Sequence, residues 1–120
     1  MVQLEKLRVE IDQVDSQLTN ILEQRLSIVA KIGKVKMENN IPIIDPRRAS
    51  LVIEKVVENL DTKEYAGEIT EILSNIIGVC ETMQKEMYAK STIENSYLKE
   101  LTGMVVKRKE ITPETKVVYQ

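Results

Sequence analysis

Histidine, tryptophan and phenylalanine are absent from this 120-residue chain, and cysteine occurs once. Without histidine, the sequence lacks the usual general base, the usual zinc ligand and every histidine-dependent nucleophilic triad. A single cysteine excludes an internal disulfide or a thiolate cluster, and it is compatible with a reducing compartment. Hydrophobic residues make up 42% of the chain but aromatic residues only 3%, so the core must be aliphatic.

Charge and hydropathy exclude two further classes of partner. The formal net charge is −2 and the basic residues are dispersed, so the chain lacks the basic stripe and stacking aromatics of nucleic-acid-binding proteins. No segment approaches the roughly 18 apolar residues of a membrane-spanning helix, and the N-terminus has no apolar signal region. We therefore predict one small cytoplasmic domain that binds neither nucleic acid nor a membrane.

The first part of the chain carries a long apolar seam at coiled-coil spacing. The seam residues are Leu4, Leu7, Ile11, Val14, Leu18, Ile21, Arg25, Ile28, Ile32 and Val35. This pattern predicts one helix over about residues 4–37, roughly 50 Å long. Such a helix is too long for a compact monomer, whose radius of gyration would be about 13–14 Å. The seam therefore needs a partner, and a second copy of the chain is the simplest one.

Two more helices are predicted after a loop that contains two asparagines and a proline. Asp45 and Pro46 are typical of a helix N-cap followed by the first helical position. Asp61 or Thr62 would cap a third helix, and Gly103 would stop it. The sequence thus predicts an all-α chain of three helices.

The predicted domain boundaries follow from these helices. Residues 1–90 would form the helical domain, with the third helix extending to about residue 101. Residues 102–120 change character, because short β-branched pairs surround a proline. We expect this tail to be extended or disordered.

Arg25 is the one charged residue in the seam, and a buried guanidinium costs several kcal/mol unless an anion meets it. Arg25 and Lys36 are close to three helical turns apart, so they face the same way about 16 Å apart and can converge on a small molecule. Arg8 lies about 25 Å from Arg25, but in an antiparallel dimer it reaches this region of the other chain. The anion could be a ligand or a glutamate of a neighbouring helix.

The other two helices add polar groups to this region. Arg48 lies one turn inside helix two, where backbone N–H groups also favour anions. Gln84 lies beside the apolar face of helix three and can donate a neutral hydrogen bond. Asp45 either contacts a ligand or serves only as the N-cap. A set of cations without a nucleophile, a metal site or a suitable base fits a dicarboxylate ligand better than hydrolysis or acyl transfer.

Several short motifs follow one another in a distinctive order. The run LRVEIDQVD at residues 7–15 resembles an LRxxIDxID signature, Arg25 follows, and then come IGKVK at 32–36 and PIIDPRR at 42–48. This order and spacing is similar to that of the all-helical, AroQ-class chorismate mutases of the shikimate pathway. The resemblance covers about residues 4–88.

The resemblance implies an intertwined antiparallel homodimer in which each site takes an arginine from the neighbouring chain. It also implies the Claisen rearrangement of chorismate to prephenate, a step of aromatic amino acid biosynthesis, with no metal and no cofactor. By position, Arg8 would be the arginine from the neighbour and Arg25 would anchor a substrate carboxylate. Lys36 and Gln84 would donate hydrogen bonds to the ether oxygen as its bond breaks.

The remaining positions include two departures from the family. By resemblance, Asp45 would contact the ring hydroxyl and Arg48 would complete the charged wall. Many members have a glutamate for the ring hydroxyl where this chain has Ala49. The family's third helix usually offers a serine to a substrate carboxylate where this chain has Cys80, a weaker hydrogen-bonding group. We expect weaker substrate binding and surviving activity.

Two other functions remain open at this stage. An isochorismate-pyruvate lyase would use the same cationic pocket to eliminate pyruvate, although the Asp45-Pro46 pair favours the mutase. A non-catalytic helical dimer would bind a metabolite or partner of the aromatic pathway without turnover, as Ala49 and Cys80 would allow. Whichever function holds, the tail is a candidate linker to, or contact with, another shikimate-pathway enzyme.

Overall fold

Three helices form the described part of the chain in the computed structural model. They are α1 (Val2–Glu38), α2 (Pro46–Glu58) and α3 (Ala66–Val106). The structure describes the backbone of residues 1–106 and the side chains of residues 1–102, so most of the predicted tail lies outside the described residues. The prediction of an all-α chain with one very long N-terminal helix is confirmed.

Helix α1 exceeds its predicted bounds by two residues at one end and one at the other. It ends in a Schellman motif, in which Ile41 N–H donates to the Lys36 carbonyl at 2.9 Å and Asn40 N–H donates to the Met37 carbonyl at 3.4 Å. Asn40 has a φ of 55°, a left-handed conformation that asparagine tolerates. This turn directs the loop back across the last turn of α1, beside Lys36.

Helix α2 begins as the sequence predicts. The Asp45 side chain accepts a hydrogen bond from the Arg48 backbone N–H at 3.1 Å, and Pro46 occupies the first helical position. This bond satisfies one of the N–H groups that a helix start leaves without a partner. The prediction of Asp45 as an N-cap is therefore confirmed, and the cap places Asp45 and the first turn of α2 beside the loop.

Helix α3 differs from its prediction at both ends. It begins at Ala66 because the preceding residues form a turn, in which Thr62 Oγ1 accepts from Glu64 N–H at 3.2 Å; the predicted cap at Asp61 or Thr62 is wrong. The predicted stop at Gly103 is also wrong, because α3 continues to Val106. A helical glycine costs about 1 kcal/mol, and it ends a helix only where the chain takes a left-handed turn.

The core is small and lies where the second half of α1 packs against α3. Its buried side chains are Val29, Ile43, Cys80, Gln84 and Tyr88. Tyr88 Oη donates to the Ile41 carbonyl at 3.0 Å and so fastens the loop to α3. A Cβ atom at Gly33 would lie 3.2 Å from Gln84 Cγ, so glycine at this position lets α1 approach α3 closely.

The first half of α1 has no packing partner within the described chain. All residues from 1 to 21 are exposed, and the nine aliphatic seam residues are between 39% and 57% exposed. The radius of gyration is 21.2 Å, well above the value of about 13–14 Å for a compact domain of this length. Helix α1 therefore packs on α3 mainly through a neighbouring face, and the aliphatic residues of its seam stay exposed.

Within the described residues, no helix combines the length and the apolar character that crossing a membrane would require.

Candidate active site

A cavity of about 220 Å³ lies between the second half of α1, the loop before α2, the start of α2 and the middle of α3. Its polar and charged lining residues are Arg25, Lys36, Asp45, Arg48, Cys80, Glu81 and Gln84. Six of the seven predicted site residues are therefore brought together. The exception is Arg8, which is exposed on α1 about 25 Å from Arg25 along the helix axis.

Helical periodicity explains why these residues share one cavity. The lining residues of α3 are Ile77, Cys80, Glu81 and Gln84, a spacing of three and four that places side chains on one helix face. On α1, Arg25 lies eleven residues before Lys36, close to three full turns. The two helices meet along these faces, and α2 closes the third side.

The Lys36 ammonium is held by two acceptors at the edge of the cavity. Lys36 Nζ donates to the Ile43 carbonyl at 2.9 Å and to Gln84 Oε1 at 3.4 Å. An ammonium has three N–H donors, so one of them remains for a ligand. The Schellman turn that ends α1 places the Ile43 carbonyl where it can hold the charge in position.

Gln84 is only 5% exposed and is held by the backbone of α1. Its Nε2 donates to the Val29 carbonyl at 3.0 Å, while its Oε1 accepts from Lys36. Because a side-chain amide has two N–H donors, the second N–H of Nε2 is available to the cavity. Lys36 and Gln84 thus present two adjacent donors, each fixed by a backbone carbonyl.

Arg25 contacts α3 through the only cysteine of the chain. Arg25 Nη1 donates to Cys80 Sγ at 3.1 Å, and Cys80 is 6% exposed. A thiol sulfur is a weak acceptor, so this contact orients the guanidinium and leaves most of its five donors unused. The glutamate partner that the sequence allowed for Arg25 is not found among residues 1–102.

The cavity carries more positive than negative charge. Arg25, Lys36 and Arg48 line it together with the carboxylates of Asp45 and Glu81. Across the part of the chain with described side chains, none of the three cations forms an ion pair with a carboxylate. The N-terminus of α2 adds partial positive charge at the same place. The arrangement therefore fits an anionic ligand with more than one negative group.

Glu81 and the apolar walls of the cavity, apart from Ala49, were not predicted from the sequence. The apolar lining residues are Val29, Ile32, Ile43, Ala49, Val52 and Ile77. A helical projection could have found Glu81, because it lies next to Cys80 and three residues before Gln84. The contribution of Ile43 could not have been found in this way, since it depends on how the loop folds back over α1.

Comparison with known proteins identifies the family of this chain. The family model described as chorismate mutase type II matches residues 7–85, which is more than half of the chain. The bifunctional chorismate mutase/prephenate dehydratase of Aquifex aeolicus is 30% identical over 92 residues, covering 72% of this chain and 25% of the relative. No solved structure matches the chain significantly.

Two shorter relatives match over 53 residues. The 4-amino-4-deoxychorismate mutase of Streptomyces venezuelae is 30% identical, covering 44% of this chain and 52% of the relative. The chorismate mutase of Methanocaldococcus jannaschii is 26% identical, covering 44% of this chain and 54% of the relative. The chain thus spans about a quarter of the bifunctional relative and about half of each shorter one. Because the family match extends from the first half of α1 to the middle of α3, the resemblance seen in the sequence is confirmed, and the chain belongs to the chorismate mutase type II family of isomerases.

Proposed function

We propose that this chain catalyses the Claisen rearrangement of chorismate to prephenate in the cavity between its three helices. The observation that carries the proposal is the set of three cations without an ion pair among the described residues, placed beside two donors held by backbone carbonyls. Chorismate is a dicarboxylate, so its charge complements such a cavity. The chain spans only part of its relatives, and its own activity therefore needs direct measurement.

Binding would fold the substrate into its reactive shape. Arg25 and Arg48 lie on different walls, so each can hold one carboxylate, and a guanidinium can do so with two parallel hydrogen bonds. The enolpyruvyl group would then be held over the ring, where the new C–C bond forms. The reaction is intramolecular, so this positioning replaces a conformational search that would otherwise raise the barrier.

Lys36 and Gln84 would stabilise the transition state. As the ether C–O bond breaks, negative charge develops on the oxygen, and the two free N–H groups would donate to it. Because Ile43 and Val29 already fix these donors, little reorganisation is needed during the reaction. A millionfold acceleration corresponds to about 8 kcal/mol, and the electrostatic part of it would come from this pair.

Asp45 and Cys80 would have lesser roles in substrate binding. Asp45 Oδ1 is already used by the N-cap bond, so Asp45 would contact the oxygen of the ring hydroxyl through its backbone N–H. Cys80 would orient Arg25 and offer only a weak hydrogen bond to a carboxylate. With Ala49 in place of a polar residue, these features support weaker substrate binding with retained catalysis.

The exposed seam of α1 supports an antiparallel homodimer. Aliphatic residues with 39% to 57% of their surface exposed would become buried between two α1 helices. In that arrangement Arg8 of the partner subunit would reach the cavity and add a fourth cation to it. Each dimer would then contain two shared sites.

The experiment that tests the activity measures chorismate disappearance by ultraviolet absorbance, with prephenate confirmed by acid conversion to phenylpyruvate. We expect wild type to turn over and Arg25→Ala to lose at least about 100-fold in kcat/KM, as for loss of a charged substrate contact. Arg47→Ala is the matched control, because Arg47 is exposed and does not line the cavity. A folded wild type without turnover would contradict the proposal, and isochorismate would then test the lyase alternative.

A mixed-dimer experiment tests the shared site. Arg8→Ala and Arg25→Ala chains are each expected to be inactive alone. In a mixed dimer, one site retains its own Arg25 and receives Arg8 from the other chain, so co-expression should restore about a quarter of the wild-type activity by random pairing. No recovery in a sample shown to contain mixed dimers would exclude the shared site.

Two alternatives to this function can be tested. The Streptomyces relative is named for a substrate with an amine in place of the ring hydroxyl, so the amine-bearing analogue is a second candidate substrate for this site. The non-catalytic alternative predicts a dimer that binds chorismate without converting it.

We also propose a cytoplasmic enzyme that works beside a prephenate-processing enzyme, as the fusion in the Aquifex relative suggests.

A further inference from the structure

Glu81 lines the cavity, but the mechanism above gives it no role. Its side chain is half-buried on the face of α3 that also carries Cys80 and Gln84. Among residues 1–102 it has neither a hydrogen bond nor an ion pair. A carboxylate that is partly removed from water without a partner is unfavourable, so its position in this wall calls for a partner supplied from outside the chain.

The surroundings of Glu81 indicate what that partner is. Arg25, Lys36 and Arg48 line the same cavity, yet each lies more than 4.0 Å from its carboxylate oxygens. Positive groups and a carboxylate therefore line one cavity without pairing with each other, which suits a ligand that carries both carboxylates and a hydrogen-bond donor.

Three nearby residues leave Glu81 as the main free acceptor. Asp45 already accepts the N-cap hydrogen bond with one of its oxygens, whereas both oxygens of Glu81 are unused. Ala49, on the wall formed by α2, contributes only a methyl group, so no side chain there competes for a donor on the ligand. Gln84 uses its oxygen for Lys36.

We propose that Glu81 accepts a hydrogen bond from the donor on the substrate's ring and so determines which ring substituents the site takes. This proposal rests on the proposed function. It narrows the substrates of the site to cyclic dicarboxylates that carry a hydroxyl or an amine on the ring. A hydroxyl donates one hydrogen bond to the carboxylate. A protonated amine adds an ion pair, so the amine-bearing substrate depends more strongly on the charge of Glu81.

The test compares Glu81→Gln and Glu81→Ala on chorismate and on 4-amino-4-deoxychorismate. The glutamine retains an acceptor oxygen without charge, so we expect kcat/KM to fall about threefold for chorismate and at least about tenfold for the amine, mainly through KM. The alanine should lower both values at least about tenfold. Glu94→Gln is the control, since Glu94 is exposed on α3 outside the cavity.

Three results would overturn the proposal. In the first, both Glu81 variants, like the Glu94→Gln control, would keep kcat/KM within about twofold of wild type for both substrates. Alternatively, Glu81→Gln could lower kcat/KM equally for both substrates and also weaken the dimer, as measured by sedimentation. That result would mean that Glu81 pairs with a cation of the other subunit. If wild type converts neither substrate, the proposed function fails separately. Calorimetric binding of prephenate then decides, because equal Kd values for wild type and Glu81→Gln, or no binding at all, would refute a role for Glu81.

Discussion

Lys36→Met is the substitution that best separates catalysis from stability in this protein. Methionine keeps the length and most of the volume of the lysine side chain while removing its charge and its three donors. The ammonium contacts the Ile43 carbonyl and Gln84 Oε1 in the structure. The substitution therefore removes two contacts within the chain and the proposed contact to the ether oxygen.

The two effects differ in size. Loss of the hydrogen bond to Ile43 costs about 1.5–3 kcal/mol of the free energy of unfolding, the usual net value of a bond that involves a charged group. Loss of a donor to a developing oxyanion costs about 10²–10³ in kcat, or about 2.7–4 kcal/mol of transition-state stabilisation. The loss of activity should therefore exceed the loss of stability by up to about 2.5 kcal/mol.

The measurement pairs steady-state chorismate kinetics with thermal unfolding followed by circular dichroism. Lys34→Met is the matched control, because Lys34 is exposed on the same helix two residues away and does not line the cavity. We expect kcat to fall about 100- to 1,000-fold in Lys36→Met, with a much smaller change in KM. The control should keep both values within about twofold.

Two outcomes would refute this reasoning. A kcat within about tenfold of wild type would show that Lys36 does not stabilise the reacting oxygen. A large rise in KM with unchanged kcat would show that the ammonium binds a ground-state carboxylate instead.

Three further substitutions give separate expectations. Cys80→Ser should raise kcat/KM about two- to tenfold, because a hydroxyl is a stronger hydrogen-bonding group than a thiol; a lower value would show that the thiol packs better than the hydroxyl binds. Gly33→Ala should lower kcat about tenfold while the melting temperature changes by only a few degrees, since its Cβ would lie 3.2 Å from Gln84 Cγ. Gly67→Ala, with nothing within 4 Å, is its control, and equal kinetics in the two variants would contradict the expectation. Asp45→Asn should keep the stability of wild type, because asparagine caps helices equally well, whereas Asp45→Ala should lose about 0.5–2 kcal/mol in chemical denaturation. If Asn also lowers kcat/KM for chorismate, Asp45 contacts the substrate; if only Ala does, the cap accounts for the effect.

The sequence predicted the helices well where a local signal marks them. The seam of α1 and the Asp45-Pro46 start of α2 were confirmed to within two residues. The ends of α3 were predicted wrongly, because Thr62 closes a turn and Gly103 continues a helix, and both residue types are compatible with either state. Such choices depend on the neighbouring backbone, which a single position does not reveal.

The residues of the candidate site also fall into two groups, those that the sequence marks and those that only the packed structure reveals. Arg25 and Lys36 could be assigned to one face from their spacing alone. Asp45, Arg48 and Gln84 followed from their positions on the other two helices, and the family resemblance added Cys80. A helical projection places Glu81 beside Cys80 and near Gln84, but only the packed helices show that Glu81 lines the cavity. Arg8 remains a prediction, since its role depends on a second chain.

Local chemistry along the chain was sufficient for the helical class, the long apolar seam, the excess of cations and the family. The helices and the seam follow from periodicity and capping among residues within one or two turns of each other, whereas the cations and the family motifs follow from residue type and order along the chain. Tertiary structure alone decided that Ile43 and Val29 hold the two donors, that Cys80 orients Arg25, and that Glu81 lines the same cavity as the cations. The contacts between α1 and α3 join residues 48 to 55 positions apart, and their distances exist only once the helices have packed.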